Sequence, residues 1–126
     1  MKKIKYYIPI FIILLLFFLI GKKFWFLRVY INEDYFIQQR PFTNNYILIS
    51  KKNGHILEHV YEWLDVNEYI YGSGYNDKDF YYLYEKKKNT VIIYEDLDSF
   101  YEKLHAINLK YTMDNCTRIL DYKFIN

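Results

Sequence analysis

The run from Tyr6 to Gly21, YYIPIFIILLLFFLIG, carries no charge and is bounded by Lys5 and Lys22. As a helix rising about 1.5 Å per residue it covers about 24 Å, a little short of the roughly 30 Å hydrocarbon core of a bilayer. The flanking lysines can snorkel toward the headgroups, and Phe24-Trp25-Phe26 supplies an aromatic belt opposite Tyr6-Tyr7. Pro9 falls in the first turns, where its missing N–H costs little. A cleaved secretory signal shares the basic and apolar parts of this pattern. It also needs small residues of the A-x-A kind, whereas Gly21 is followed by Lys-Lys-Phe-Trp. The expectation is a retained single-pass transmembrane helix over about residues 6–21, within an N-terminal anchor of residues 1–27.

Orientation follows less directly, because Lys2, Lys3 and Lys5 on one side face Lys22, Lys23 and Arg28 on the other. A short tail with three lysines tends to stay in the cytoplasm, and a long following domain translocates largely regardless of its charge. The expected arrangement has a cytoplasmic N-terminus and an extracytoplasmic domain over residues 28–126. That length matches one small domain with a single core.

All 15 acidic residues follow the apolar run, so residues 28–126 hold 12 basic against 15 acidic side chains. A weakly acidic domain without a basic stripe is a poor nucleic-acid binder, since phosphate neutralisation supplies most of that affinity. The only cysteine, Cys116, excludes an intrachain disulfide and a lipid-modified N-terminal cysteine. Aromatic content is high, with 16 Tyr and 10 Phe. Codon bias in an AT-rich genome would raise Tyr, Phe, Ile, Asn and Lys together and accounts for part of it.

Strand character by β-branched and aromatic content marks Leu27 to Ile31, Tyr35 to Gln38, Tyr46 to Ser50, Tyr69 to Tyr71, Phe80 to Tyr84 and Val91 to Tyr94. Turn signals separate them: Asn44-Asn45, Lys52-Asn53-Gly54, Gly72-Ser73-Gly74 and Lys86-Lys87-Lys88-Asn89. Short strands with tight turns pair with their sequential neighbours as an antiparallel meander. Leu97, Phe100, Tyr101, Leu104 and Ile107 recur at helical spacing, with Asp96, Asp98 and Ser99 as capping groups and Ser99 with Glu102 as a capping box. Alternation at Leu120, Tyr122 and Phe124 suggests a closing strand. The stretch from His55 to Leu64 reads as helix or strand, and its Asn-Gly turn favours strand. The fold class expected is α+β: an N-terminal transmembrane helix, then a small antiparallel β-meander packed on one helix.

The run FYYLYEKKKNTVIIYEDLDSFYEKLHAINL resembles the C-terminal half of small uncharacterised bacterial lipoproteins and membrane-anchored proteins. The resemblance covers roughly Glu68 to Leu109 and implies a β-meander packed on one helix, with no activity attached. The chain departs from the lipoprotein members in lacking the N-terminal lipobox cysteine, so a protein anchor would take the place of the lipid.

His55-Ile56-Leu57-Glu58-His59 reads H-x-x-E-H, the pattern of inverted zinc peptidases, in which two histidines on one helical face bind zinc and the glutamate activates water. That chemistry needs a helix, a distant acidic ligand and a large cleft, and a chance match or a metal site with Glu62 are the competing readings. Asp96-Leu97-Asp98 sits at a helix start, where capping explains it. Tyr71-Gly-Ser-Gly-Tyr75 lacks the lysine and the helix of a phosphate loop, which leaves a hairpin or bulge. Asn115-Cys116-Thr117 is a glycosylation sequon, and Cys116 reads as an inert thiol. No catalytic residue, cofactor or metal site is assigned.

The remaining feature is a density of tyrosine. Strand alternation must place rings on both faces of a sheet, and one helix covers only one face. Tyr69, Tyr71, Tyr75, Tyr82 and Tyr84 are therefore the candidate partner-binding face. The expected role is a non-enzymatic, membrane-tethered binding or accessory protein, for example of the bacteriocin-immunity or exclusion type. Its partners would be the lipid bilayer and a protein near it, with no nucleic acid. A small zinc hydrolase using His55, Glu58 and His59, and a structural subunit of a membrane complex, are the alternatives.

Overall fold

The computed structural model describes residues 8–17, 27–112 and 114–123. Residues 8–17 form a helix, α1, and all of its side chains are exposed. Among the described residues no helix is long and apolar enough to cross a membrane. The span expected over 6–21 is thus described only over 8–17, and residues 6, 7, 18–21 and the 24–26 belt lie outside the described residues.

The rest of the chain is α+β and builds two antiparallel sheets. The first is a four-stranded meander, β1 (Arg28–Tyr30), β2 (Tyr35–Gln39), β3 (Tyr46–Ser50) and β4 (Gly54–Leu57), in that order. Its turns are closed by short polar side chains. Asn32 Oδ1 accepts from the Asp34 and Tyr35 amides at 2.8 and 3.1 Å, and Ser50 Oγ accepts from those of Lys52 and Asn53 at 3.2 and 3.0 Å. The second sheet contains β5 (Glu62–Val66), β6 (Tyr69–Asn76), β7 (Lys78–Glu85) and β8 (Thr90–Tyr94), with β9 (Thr117–Arg118) on the far side of β5. Asn67, Asp77 and Asn89, all with positive φ, turn its hairpins, as residues whose short polar side chains tolerate the left-handed region. Helix α2 (Leu97–Ala106) follows β8, and a single turn, α3 (Leu120–Lys123), follows β9.

The expected single meander is broken between β4 and β5. His59, at φ 62°, redirects the chain, and Val60 then donates its amide to the Tyr46 carbonyl (2.9 Å) of the first sheet while bridging Gly74 of the second. The stretch from His55 to Leu64 is therefore two strands and a crossover, and contains no helix.

The first sheet packs on one face of the second. Val29, Tyr35, Ile37, Tyr46 and Leu48 meet Trp63, Ile70, Tyr82 and Tyr84 in a buried cluster. Helix α2 and the segment after it cover the opposite face, where Phe100, Leu104 and Leu109 pack on Tyr71 and Leu83. Phe100 and Leu104 lie four residues apart on one side of α2, which is why both are buried. Asp96 is the N-cap and accepts from the Asp98 and Ser99 amides, so the cap begins at Asp96 rather than as a Ser99–Glu102 box.

Around Tyr71, Tyr82 and Tyr84 the central sheet is covered on both faces, so the five tyrosines do not form the expected open face. Tyr71, Tyr82 and Tyr84 are buried, Tyr69 is half-buried against the α2 cluster, and Tyr75 alone of the five is exposed. Two local expectations also change. Gly72-Ser73-Gly74 lies inside β6 instead of forming a turn, and the closing strand expected from Leu120 is helix α3, preceded by the two-residue β9. The glycines serve close approach: a Cβ on Gly72 would lie 2.2 Å from the Glu62 carbonyl oxygen, and one on Gly74 would lie 2.3 Å from that of His59.

Candidate functional site

Alternation along β7 sends Tyr82 and Tyr84 toward the first sheet and leaves Tyr81 on the side of α2. There Phe100 centres an aromatic cluster. Tyr81 stacks on it with ring centroids 5.4 Å apart, and Tyr111, from the segment after α2, meets it edge-on at 5.4 Å. Tyr101 continues the wall 6.2 Å from Tyr111.

Beside this cluster opens a cleft of about 440 Å³, within the range of small-ligand sites. Tyr81, Tyr101 and Tyr111 form its walls together with Leu97, Tyr61 and Tyr75 stand at its edge, and the carboxylates are Glu62 and Asp79. Its inner end is a polar cluster. The Glu62 side chain, 12% exposed, accepts from Ser73 Oγ at 2.9 Å and from the Cys116 thiol, with Arg118 Nε 3.9 Å away. Strand pairing explains the last contact, since Glu62 and Arg118 are direct partners across β5 and β9. Gly72 brings β6 close against β5, Gly74 brings it close to the His59 carbonyl, and Ser73 between them donates its hydroxyl to Glu62.

The electrostatics disfavour nucleophilic chemistry at Cys116. Burial pushes the thiol's pKa up and the adjacent Glu62 carboxylate adds to it, while Arg118 opposes them. Burial likewise raises Tyr111, beside Glu62 and Ser73, and Tyr81. These hydroxyls remain protonated at neutral pH and can donate into the cleft.

His55, Glu58 and His59 lie apart from this site, along a second cleft of about 430 Å³ at the ends of β4 and β7. His55 belongs to β4 and His59 to a left-handed bend, so the helical face that the zinc-peptidase pattern requires is absent from this segment. Glu58 Oε1 pairs with Arg40 at 2.6 Å and stands 4.0 Å from His55 Nε2. Glu62, the other acidic residue considered for a metal, turns into the first cleft. Among the described residues no group of three or more His, Cys, Asp or Glu side chains could hold a metal ion. Asp96-Leu97-Asp98 caps α2, as its position suggested.

Of the five tyrosines expected at a binding face, only Tyr75 borders the first cleft. Tyr71, Tyr82 and Tyr84 instead donate their hydroxyls inside the fold, to the Lys110 carbonyl (2.6 Å), the Glu62 carbonyl (2.8 Å) and Asn89 Oδ1 (2.7 Å). The cleft residues that the sequence reading missed are Tyr61, Ser73, Asp79, Tyr81, Tyr101 and Tyr111, and Glu62 was considered only for a metal. One signal was present, because glycines at alternate positions around Ser73 keep strand periodicity and mark a backbone packed closely against another chain segment. Comparison with protein-family models, with curated proteins and with solved structures finds no match to the chain.

Proposed function

We propose that this chain is a membrane-tethered, non-enzymatic binding protein that engages a protein partner near the membrane surface, as a bacteriocin-immunity or exclusion protein would. The observation that carries the binding half is the tyrosine-walled cleft. Tyrosine combines a broad apolar contact with a hydroxyl at little conformational cost, and it is enriched where interfaces concentrate their binding energy. Tyr75 and Tyr101 are among the exposed large side chains of the domain and both border that cleft. The tether rests on the uncharged run between Lys5 and Lys22 and on the exposure of every apolar side chain along α1. The protonated, half-buried Cys116 thiol supports a binding role over a nucleophilic one.

Two measurements test this reading. Carbonate extraction of membranes should leave the chain in the pellet, and a reporter fused after Asn126 should be active on the extracytoplasmic side. A soluble mature form beginning after Gly21 would refute the tether. A photo-crosslinking residue at Tyr101 should trap one discrete partner in cells, and the same residue at Lys52, in the remote β3–β4 turn, should trap none. Equal trapping from both positions would sink the cleft as the binding site.

A further inference from the structure

We propose that the cleft receives the guanidinium or ammonium head of an arginine or lysine side chain presented by the partner. This rests on the binding role proposed above and adds the chemistry of the ligand. The lining contains two carboxylates, Glu62 and Asp79, and no Lys, Arg or His. Five of its residues are tyrosines, whose ring faces carry the negative end of the aromatic quadrupole and attract organic cations.

Two basic groups near the lining residues are directed elsewhere. Lys78 lines the second cleft and reaches toward Glu95 at 3.7 Å, and Arg118 approaches Glu62 from β9 without lining the cleft. Glu62 is held by Ser73, Cys116 and Arg118, so its charge is fixed in place and partly offset. Asp79 is exposed at the rim and makes no ion pair with the described residues. An incoming cation therefore finds an exposed carboxylate at the mouth, tyrosine rings along the walls and a second carboxylate at the inner end. An anion meets repulsion from both carboxylates and no cationic side chain in the lining to offset it. The excess of acidic over basic side chains in residues 28–126 extends the same bias over the domain.

The test uses the full chain in maltoside micelles, which carry no quaternary ammonium to compete. Tyrosine ring resonances are followed while Nα-acetyl-arginine methylamide is added, then its citrulline counterpart, which keeps the shape and loses the charge. Saturable shifts are expected for arginine, with the citrulline compound at least about fivefold weaker. Added salt should weaken the arginine complex, and Asp79→Asn should weaken it about threefold or more with an unchanged circular dichroism spectrum. Equal binding of both compounds, or no saturable binding of arginine, overturns the proposal. Binding of choline in place of arginine also overturns it, in favour of a lipid headgroup. If arginine fails while the Tyr101 crosslink persists, the cation is wrong and the binding role stands. If both fail, both are withdrawn.

Discussion

Tyr81 and Tyr82 are neighbours on β7, yet they point to opposite faces of the same sheet and live in different surroundings. Tyr82 is fully buried against the first sheet and donates its hydroxyl to the Glu62 carbonyl. Tyr81 is half-buried, stacks on Phe100 and borders the cleft. The face toward the first sheet uses tyrosine as a large core residue whose one polar atom is bonded within the fold. The face toward α2 buries Tyr71 in the same way but turns Tyr81 into a wall with open surface. What separates the two is the kind of layer that covers each. A four-stranded sheet covers Tyr82 and Tyr84 on one side, and a single ten-residue helix leaves a gap at its N-terminal end, where Leu97 and Tyr101 border the cleft. Composition alone could not have distinguished them.

The largest expected effect tests that division directly. Tyr82→Ala removes a fully buried ring and should cost about 3 to 5 kcal/mol by analogy with other large aromatic truncations. Tyr75→Ala, at an exposed position, should cost no more than about 1 kcal/mol and should weaken partner binding. Chemical denaturation of both variants decides this, and similar costs would abolish the distinction between a structural and a binding set of tyrosines. On the α2 side, Phe100→Ala should cost about 3 to 5 kcal/mol and Leu104→Ala about 2 to 5, while Glu102→Ala and Lys103→Ala should stay within about 0.5. Negligible effects at Phe100 and Leu104 would mean that α2 does not pack on the sheet, and the cleft wall would go with it.

Gly72→Ala probes the junction between the two faces. The added Cβ would fall 2.2 Å from the carbonyl oxygen that also accepts the Tyr82 hydroxyl. Backbone must move to admit it, with an expected loss of about 1 to 3 kcal/mol. The shift should also separate Ser73 from Glu62 and so alter the cleft. A variant as stable as the parent would show that β6 and β5 do not need this close approach.

How much of this was legible in the sequence depended on the range of the interaction. The strand from Tyr46 to Ser50 and the helix around Phe100 and Leu104 were readable, because alternation and helical spacing are local patterns. The division into two sheets was not, since it depends on a left-handed bend at His59 and on Val60 bonding to Tyr46 and Gly74 at once. The same holds for the cleft. Glu62, Ser73, Tyr101, Tyr111 and Cys116 come from separate elements and are assembled by tertiary packing alone. Gly72 and Gly74 were misread as a turn because glycine signals both a bend and a close approach, and only their spacing of two separates the meanings. At Leu120 the apolar alternation was too short to tell a strand from one helical turn.

The smallest and most graded prediction concerns alkaline pH. Burial raises the pKa of Tyr82 well above its ordinary value near 10, and burial also raises Tyr35 and Tyr71. A raised pKa means that the folded state holds the proton after the unfolded chain has released it. The stability linked to each group is therefore fully present below pH 10 and is lost as the pH rises through the folded value. Each such tyrosine can contribute a slope of up to about 1.4 kcal/mol per pH unit in that window. Denaturant midpoints measured from pH 8 to 11 should hold steady and then fall above 10, with absorbance at 295 nm rising in step with unfolding. Tyr82→Phe keeps the ring and removes the ionisable group, so the decline should be shallower. Its lost hydroxyl, which leaves the Glu62 carbonyl without that donor, should lower stability at pH 8 by about 1 to 3 kcal/mol. If the slope above pH 10 is unchanged in that variant, Tyr82 is not among the tyrosines whose protonation the fold enforces. The face toward the first sheet would then be wetter than its buried rings indicate, and the contrast with the cleft face would narrow.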